Sequence, residues 1–193
     1  LKPRQSTRYP AIYLKDTDFA DDIALISQSL ANAQSLLQAL EDAANCVGLY
    51  LNESKTKVMN RCTTNNTAGI RTLNDNALQE VLDYNYLGSF ISTSSKDFTT
   101  RKGIAWSACN DMRKVWSSQL SEAVKVEIFR MTIERILLYG SETWTLSRKM
   151  EQRLDGTYTR LLMRVKNISW RDHCTKKQIY GNLTAPSTLL RAR

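Results

Sequence analysis

Residues 16–27 read DTDFADDIALIS, four aspartates within seven positions followed at once by an apolar run. Carboxylates this close repel one another, and they persist where a turn splays them or a cation neutralises them. The pattern predicts a tight hairpin with Asp21 and Asp22 at its tip, anchored by Ile23, Leu25 and Ile26 on the return strand. A calcium loop is excluded. It needs glycine at its sixth position and glutamate at its twelfth, which counted from Asp16 are Asp21 and Ser27. Asp16-Thr17-Asp18 also fits a DxD sugar-nucleotide site, and a plain acidic turn fits as well.

Working outward, Ile12–Leu14 and Ile23–Ile26 read as strands on either side of the aspartates. Leu30, Ala33, Leu37, Leu40, Ala44 and Val47 then recur at steps of three and four, which predicts an amphipathic helix packed on a sheet and stopped at Gly48. Short strands follow at 49–51 and 57–59, then the polar stretch TTNNTAG. Ile70–Leu73 and Ala77–Leu82 flank Asn74-Asp75-Asn76, a hairpin turn. Tyr84–Ile91 is the last strand-like segment, interrupted by Gly88, and a core strand with a bulge is one reading of Tyr86-Leu87-Gly88.

From about residue 94 the strand signal ends. Ser94-Ser95 offers an N-cap, and three helical patterns follow. Ile104, Ala108, Met112 and Val115 mark the first. Val124, Ile128, Met131 and Leu138 mark the second, apolar around much of its girth and expected to be central. Met150, Leu154, Tyr158, Leu161 and Val165 mark the third. A short segment spans 171–182, and TAPSTLLRAR reads as a frayed tail.

The 193 residues are 42% apolar, enough for one moderate core or two small ones. No run of 18 apolar residues exists, so no helix spanning a membrane is expected. LKPRQSTRYP has no signal-peptide core. The chain starts without methionine and reads as a piece of a longer open reading frame. Cys46, Cys62, Cys109 and Cys174 are scattered, which fits reduced thiols of an intracellular protein better than a disulfide framework or zinc knuckle. The sequons at Asn52, Asn65, Asn167 and Asn182 read as chance.

Charge divides the chain. Residues 1–95 carry 8 Lys/Arg and 10 Asp/Glu, whereas 96–193 carry 19 and 9, or −2 against +10. That asymmetry fits two modules, the second facing a polyanion. At about 100° per residue, Lys149, Arg153, Arg160 and Arg164 fall within about 60° on the third helix, away from its apolar face. The stripe fits a phosphate-tracking ridge and equally an ordinary solvated face.

Phe19-Ala20-Asp21-Asp22 resembles the [YF]xDD signature of reverse transcriptases, in the form found in non-LTR (LINE-like) retrotransposons. The order of later segments resembles that family too. GLYLNESKTKVM (48–59) is similar to its glycine-then-lysine-strand motif, and Tyr86-Leu87-Gly88 to its primer grip. Residues 97–180, including LLYGSETWTL and SWRDH, are similar to its thumb.

The resemblance implies an α+β fold: a partial polymerase palm at 1–93, an antiparallel sheet with one packing helix, followed by an all-helical basic thumb at 94–193. It implies RNA-directed DNA polymerisation with an RNA template, a DNA primer and deoxynucleoside triphosphates. Two Mg²⁺ ions about 4 Å apart would activate a 3′-hydroxyl and stabilise departing pyrophosphate. Asp21 would ligate metal, with Asp22 beside it in support. Phe19 and Ala20 would line the approach of primer end and nucleotide. Lys55 would neutralise the leaving group, with Lys57 close enough to leave that assignment open. Tyr86, Leu87 and Gly88 would cradle the primer backbone.

The family's further aspartate, in a D-x-x-x-x-[FY] strand, is not in residues 1–18, nor are its nucleotide-holding motif, fingers and endonuclease. Asp16 and Asp18 lie too near the tip to replace that aspartate. The expectation is half a metal site that does not polymerise alone. A decayed or co-opted nucleic-acid-binding or interaction module is the alternative. His173 is expected to be structural, and Trp106, Trp116, Trp144 and Trp170 to fill a helical core.

Overall fold

Two residues make the first turn. In the computed structural model Asp16–Phe19 (β1) pairs antiparallel with Asp22–Leu25 (β2), leaving only Ala20-Asp21 between them. The structure describes residues 16–60, 69–91 and 93–191. The strand expected at Ile12–Leu14 and most of the TTNNTAG stretch, with Cys62 and Asn65, lie outside those residues.

The fold is α+β, and the chain divides into two compact units, Leu1–Leu87 and Gly88–Arg193. In the first unit the predicted helix forms over Leu30–Cys46 (α1), with the Ser29 hydroxyl accepting from Asn32 N. It ends as expected: Gly48 takes φ 76°, Leu49 N donates to Ala44 O at 2.9 Å and Gly48 N to Asn45 O at 3.1 Å, a Schellman pair. That closure uses the Leu49 N–H, and no strand forms at 49–51, contrary to expectation. Lys57–Val58 (β3) pairs with Gln79–Glu80 (β4) in parallel. Among the described residues the strands form separate two-stranded pairs rather than the single antiparallel sheet expected.

This unit has a small apolar core. Leu37, Ile70 and Leu78 are buried, with Leu25, Leu30, Ala33, Leu51 and Val58 packed on them. Polar bonds supplement it. The Gln34 amide donates to Arg71 O at 2.6 Å and accepts from Arg71 N at 2.8 Å, while buried Glu41 accepts from Leu73 N at 2.9 Å. The expected hairpin turn is present, with an Arg71–Ala77 bridge, Thr72 N donating to Asn76 O, and Asp75 at φ 61°.

Asn85–Tyr86 (β5) is separated from Ser89–Phe90 (β6) by Leu87 and Gly88, at φ 49° and 82°. Gly88 thus sits in a two-residue turn, the paired positive φ values of a type I′ turn, rather than in a bulge.

The second unit is helical. Its first helix, Ser94–Asp111 (α2), is capped by Thr93, not by Ser94-Ser95, and Arg113–Trp116 (α3) follows. The second pattern breaks into Glu122–Met131 (α4) and Ile133–Leu137 (α5). At the break the Thr132 hydroxyl donates to Ile128 O at 2.6 Å, competing with the helical ladder. Phe129, Ile133 and Leu137 of this pair are fully buried and α5 packs on α2, while Val124 and Met131 are exposed. Arg148–Val165 (α6) packs against α2, α4, Lys176–Tyr180 (α7) and Pro186–Arg191 (α8). Met150, Leu154, Tyr158, Leu161, Leu162 and Val165 supply its buried face.

The tail is not frayed through Arg191. Pro186 opens α8 in the position that needs no N–H. Ser187 donates to Asp155 from both N (3.1 Å) and Oγ (2.6 Å), and Arg191 grips Glu151 with two nitrogens.

Candidate functional site

Ala20 has φ 55° and Asp21 does not share that sign, so the FADD turn carries a left-handed residue at its first position. A positive φ is a conformation that glycine usually fills. Alanine pays about 1–2 kcal/mol there, and strain of this kind clusters at functional sites. Phe19 lies directly opposite Asp22, and Asp18 opposite Ile23. Side chains alternate along a strand, so Asp22 projects from the face opposite that of Asp16 and Asp18. The turn is Ala20-Asp21 rather than the expected Asp21-Asp22. Asp21 is exposed within it, Asp22 is exposed as the first residue of β2, and Phe19 is 65% exposed.

The Tyr86 phenol lies against this hairpin. Its hydroxyl donates to Thr17 O (3.2 Å), accepts from Thr17 Oγ1 (3.4 Å), and comes within 3.5 Å of Asp22 O. The tyrosine of the Tyr-Leu-Gly motif and the aspartate of the FADD motif thus meet within the first unit, 64 positions apart.

Lys55 is not on a strand. It is exposed in the turn 52–56, its N–H bonded to Asn52 O at 3.1 Å. Lys57 is the residue on β3, and its ammonium donates to Gln79 Oε1 at 2.6 Å. Nearby, Glu53 accepts from Asn76 Nδ2 (2.8 Å) and Thr72 Oγ1 (3.0 Å), bonds that hold its carboxyl below the usual range.

Among the described residues, no group of three or more His, Cys, Asp or Glu side chains could hold a metal ion. Asp21 and Asp22 offer two adjacent carboxylates, an acidic corner rather than a closed ligand set.

In the second unit, Lys149, Arg160 and Arg164 are exposed along α6. Arg153 is also largely exposed but is committed to α2: it donates to Ser95 Oγ (3.2 Å) and Thr99 Oγ1 (3.3 Å), with its guanidinium 5.2 Å from the Phe98 ring centroid. The four-residue stripe therefore contains one residue with a structural task.

A further set of residues, not singled out in the sequence, holds Gly88-Ser89-Phe90. Asp97 Oδ1 accepts from Phe90 N at 3.2 Å, and its Oδ2 accepts from Ser89 Oγ at 3.4 Å and Trp144 Nε1 at 2.8 Å. Arg101 donates to Gly88 O while its guanidinium lies 4.1 Å from the Tyr139 ring centroid. Tyr139 and Trp144 belong to the LLYGSETWTL stretch. An indole N–H inside a core needs an acceptor, and that requirement was the available signal. Trp116 meets it with Cys109 O at 2.7 Å. Trp170 breaks the expectation of a core role, being 74% exposed. His173, with φ 49°, closes a short 3-10 turn and serves the backbone.

With this geometry in view, the chain is similar to a transposon-derived, uncharacterized protein of Caenorhabditis elegans, at 30% identity over 161 residues. The match covers 81% of this chain and 58% of that protein, so the chain spans little more than half of the relative's length. No protein-family profile matches the chain, and no solved structure does.

Proposed function

We propose that the chain is part of a transposon-encoded RNA-directed DNA polymerase. In this reading it binds a primer–template duplex and contributes Asp21 and Asp22 to a two-metal nucleotidyl-transfer site. One observation carries the reading: a strained two-residue hairpin exposes both FADD carboxylates while Tyr86 of the Tyr-Leu-Gly motif touches its backbone. Similarity to a transposon-derived protein supports the origin, and the +10 charge of residues 96–193 supports a nucleic-acid partner.

Phosphoryl transfer asks a protein mainly for positioning and charge. Asp21 and Asp22 would hold Mg²⁺, which when bound neutralises developing charge and lowers the pKa of the attacking hydroxyl. The two carboxylates fit one edge of such a site and do not complete its oxygen shell, since the other ligands are not among the described residues. Phe19 and Ala20 line the approach to that edge. Tyr86, Leu87 and Gly88 bear on the primer backbone, and Lys149, Arg160 and Arg164 on phosphates, with Arg153 positioning α6. Lys55 remains the residue for the leaving group because Lys57 is engaged by Gln79.

The experiment is titration of the purified chain against a primed RNA–DNA hybrid, followed by nucleotide addition with Mg²⁺. The reading expects binding that weakens steeply with salt, unchanged in Asp21→Ala, and no extension by this chain alone. No binding at low salt would overturn it. Asp21-dependent extension would correct only the expectation that the site is incomplete. Binding without any polymerase activity from the full source protein would favour the second reading, a non-catalytic nucleic-acid-binding module.

A further inference from the structure

Trp170 is the most exposed large hydrophobic side chain among the described residues of the helical unit. Burying an indole contributes more than burying most side chains, and this protein does so with Trp116 and Trp144, at 1% and 8% exposed. Trp170 is instead held out at 74%. The backbone beneath it is firmly fixed. After α6, the Asn167 amide donates to Trp116 O at 2.6 Å, and Ile168 N to Met163 O at 2.8 Å, which ties the loop to the core. Ser169 then opens the 3-10 turn Trp170–Asp172 with a capping box, Asp172 Oδ2 accepting from Ser169 N at 2.6 Å. A second capping box, Thr175 with Gln178, starts α7, whose Ile179 is buried. The exposed indole therefore stands on a frame anchored at both ends.

The surroundings are cationic. The Arg171 guanidinium lies 5.4 Å from the Trp170 ring centroid, and Arg171, Lys176 and Lys177 are exposed. The stretch 169–177 holds three Lys/Arg and one acidic residue, Asp172, which is occupied by its cap. A rigid aromatic face beside a guanidinium, with two exposed lysines at the start of the helix that follows, suits an unpaired base and its flanking phosphates. Bases inside a duplex are stacked on one another and present no free face, so the fit is to a single strand. Trp and Arg also anchor protein interfaces, but the positive charge of this unit favours the polyanion.

We propose that Trp170, with Arg171, Lys176 and Lys177, forms a stacking site for single-stranded nucleic acid. This site does not depend on the polymerase reading. Trp170 supplies the base platform, Arg171 packs against the same ring, and the lysines contact phosphates.

The test uses the whole chain with two probes: oligothymidylate of about a dozen nucleotides, within the usual single-strand site size, and a blunt RNA–DNA hybrid. Trp170→Ala is expected to weaken oligothymidylate binding about tenfold, with no change in thermal midpoint and none in hybrid affinity. Trp170→Phe should recover most of the loss, because the ring face is retained. Lys176→Gln with Lys177→Gln should lower the salt slope for oligothymidylate, whereas Trp170→Ala should leave it unchanged. Equal oligothymidylate affinity in wild type and Trp170→Ala would overturn the proposal, and so would an equal loss on both probes. Failure of hybrid binding with single-strand binding intact would instead overturn the polymerase reading and leave this site standing. Self-association of wild type abolished in Trp170→Ala, without an effect on either probe, would assign the surface to a protein partner and overturn it.

Discussion

The indole N–H of Trp144 donates to Asp97 Oδ2 at 2.8 Å across 47 positions of sequence. The same carboxyl group accepts from Phe90 N and Ser89 Oγ and is 1% exposed. One buried side chain thus ties the β6 segment, the start of α2 and the LLYGSETWTL stretch together. Phe98 adds an edge-on contact to Trp144, with ring centroids 5.9 Å apart. Trp144→Phe keeps most of the ring volume and removes the donor. A hydrogen bond to a carboxyl group of this kind contributes about 1.5–3 kcal/mol, so the variant should lose about that much in urea unfolding. A loss no larger than that of an exposed substitution would show that the bond does not bear on stability.

Two glycines in this unit should respond to alanine with opposite signs. Gly140 has φ 71°, and a Cβ there would overlap Ser89 Oγ. Left-handed strain and overpacking together predict a loss of about 2–4 kcal/mol for Gly140→Ala. Gly156 lies inside α6, and a Cβ there would meet nothing within 4 Å. Gly156→Ala should therefore gain up to about 1 kcal/mol. Urea midpoints of the two variants decide the matter, and a shared sign would contradict the assigned backbone geometry.

Legibility differed between the two halves for a physical reason. The α1 pattern and Gly48 encode both packing and termination locally, so that helix and its Schellman end were readable. The FADD hairpin was readable because strand partners only two residues away need no distant information. The β3–β4 pairing was not, since Lys57–Val58 carries too few residues to state a partner or a direction. Helix α8 was hidden because its anchors, Asp155 and Glu151, lie more than 30 positions away. The candidate carboxylates were found by residue type. The engagement of Arg153 with α2 was not, because a helical wheel shows the face of a residue and not its neighbours.

Alkaline stability should depend on Tyr158. Burial, then the bond from its hydroxyl to Glu134 Oε2 at 2.7 Å, pushes this phenol well above its ordinary value. A raised folded value means that stabilisation is complete below the unfolded value of about 10 and is lost as pH rises above it. Tyr180 shifts in the same direction, chiefly through burial, so part of the slope will remain in any single variant. Tyr158→Phe should cost about 1 kcal/mol near neutrality through the lost hydrogen bond, and its stability should fall less steeply than wild type above about pH 10. Parallel pH profiles for the two proteins would exclude Tyr158 as the source.

The basic face of α6 should separate into a structural member and a binding set. Arg153 bridges to Ser95 and Thr99 and lies over Phe98, so Arg153→Ala removes packing as well as charge. It should lower the thermal midpoint, with a cost of about 1 kcal/mol. Arg160→Ala and Arg164→Ala remove exposed cations and should leave the midpoint unchanged. If these arginines contact phosphates, each replacement should weaken hybrid binding and reduce the slope of log affinity against log salt by about 1. Anisotropy titrations at several salt concentrations measure that slope directly. An unchanged slope in the Arg160→Ala, Arg164→Ala double variant would make this face ordinary solvated surface, and the duplex would then have to lie elsewhere on the unit.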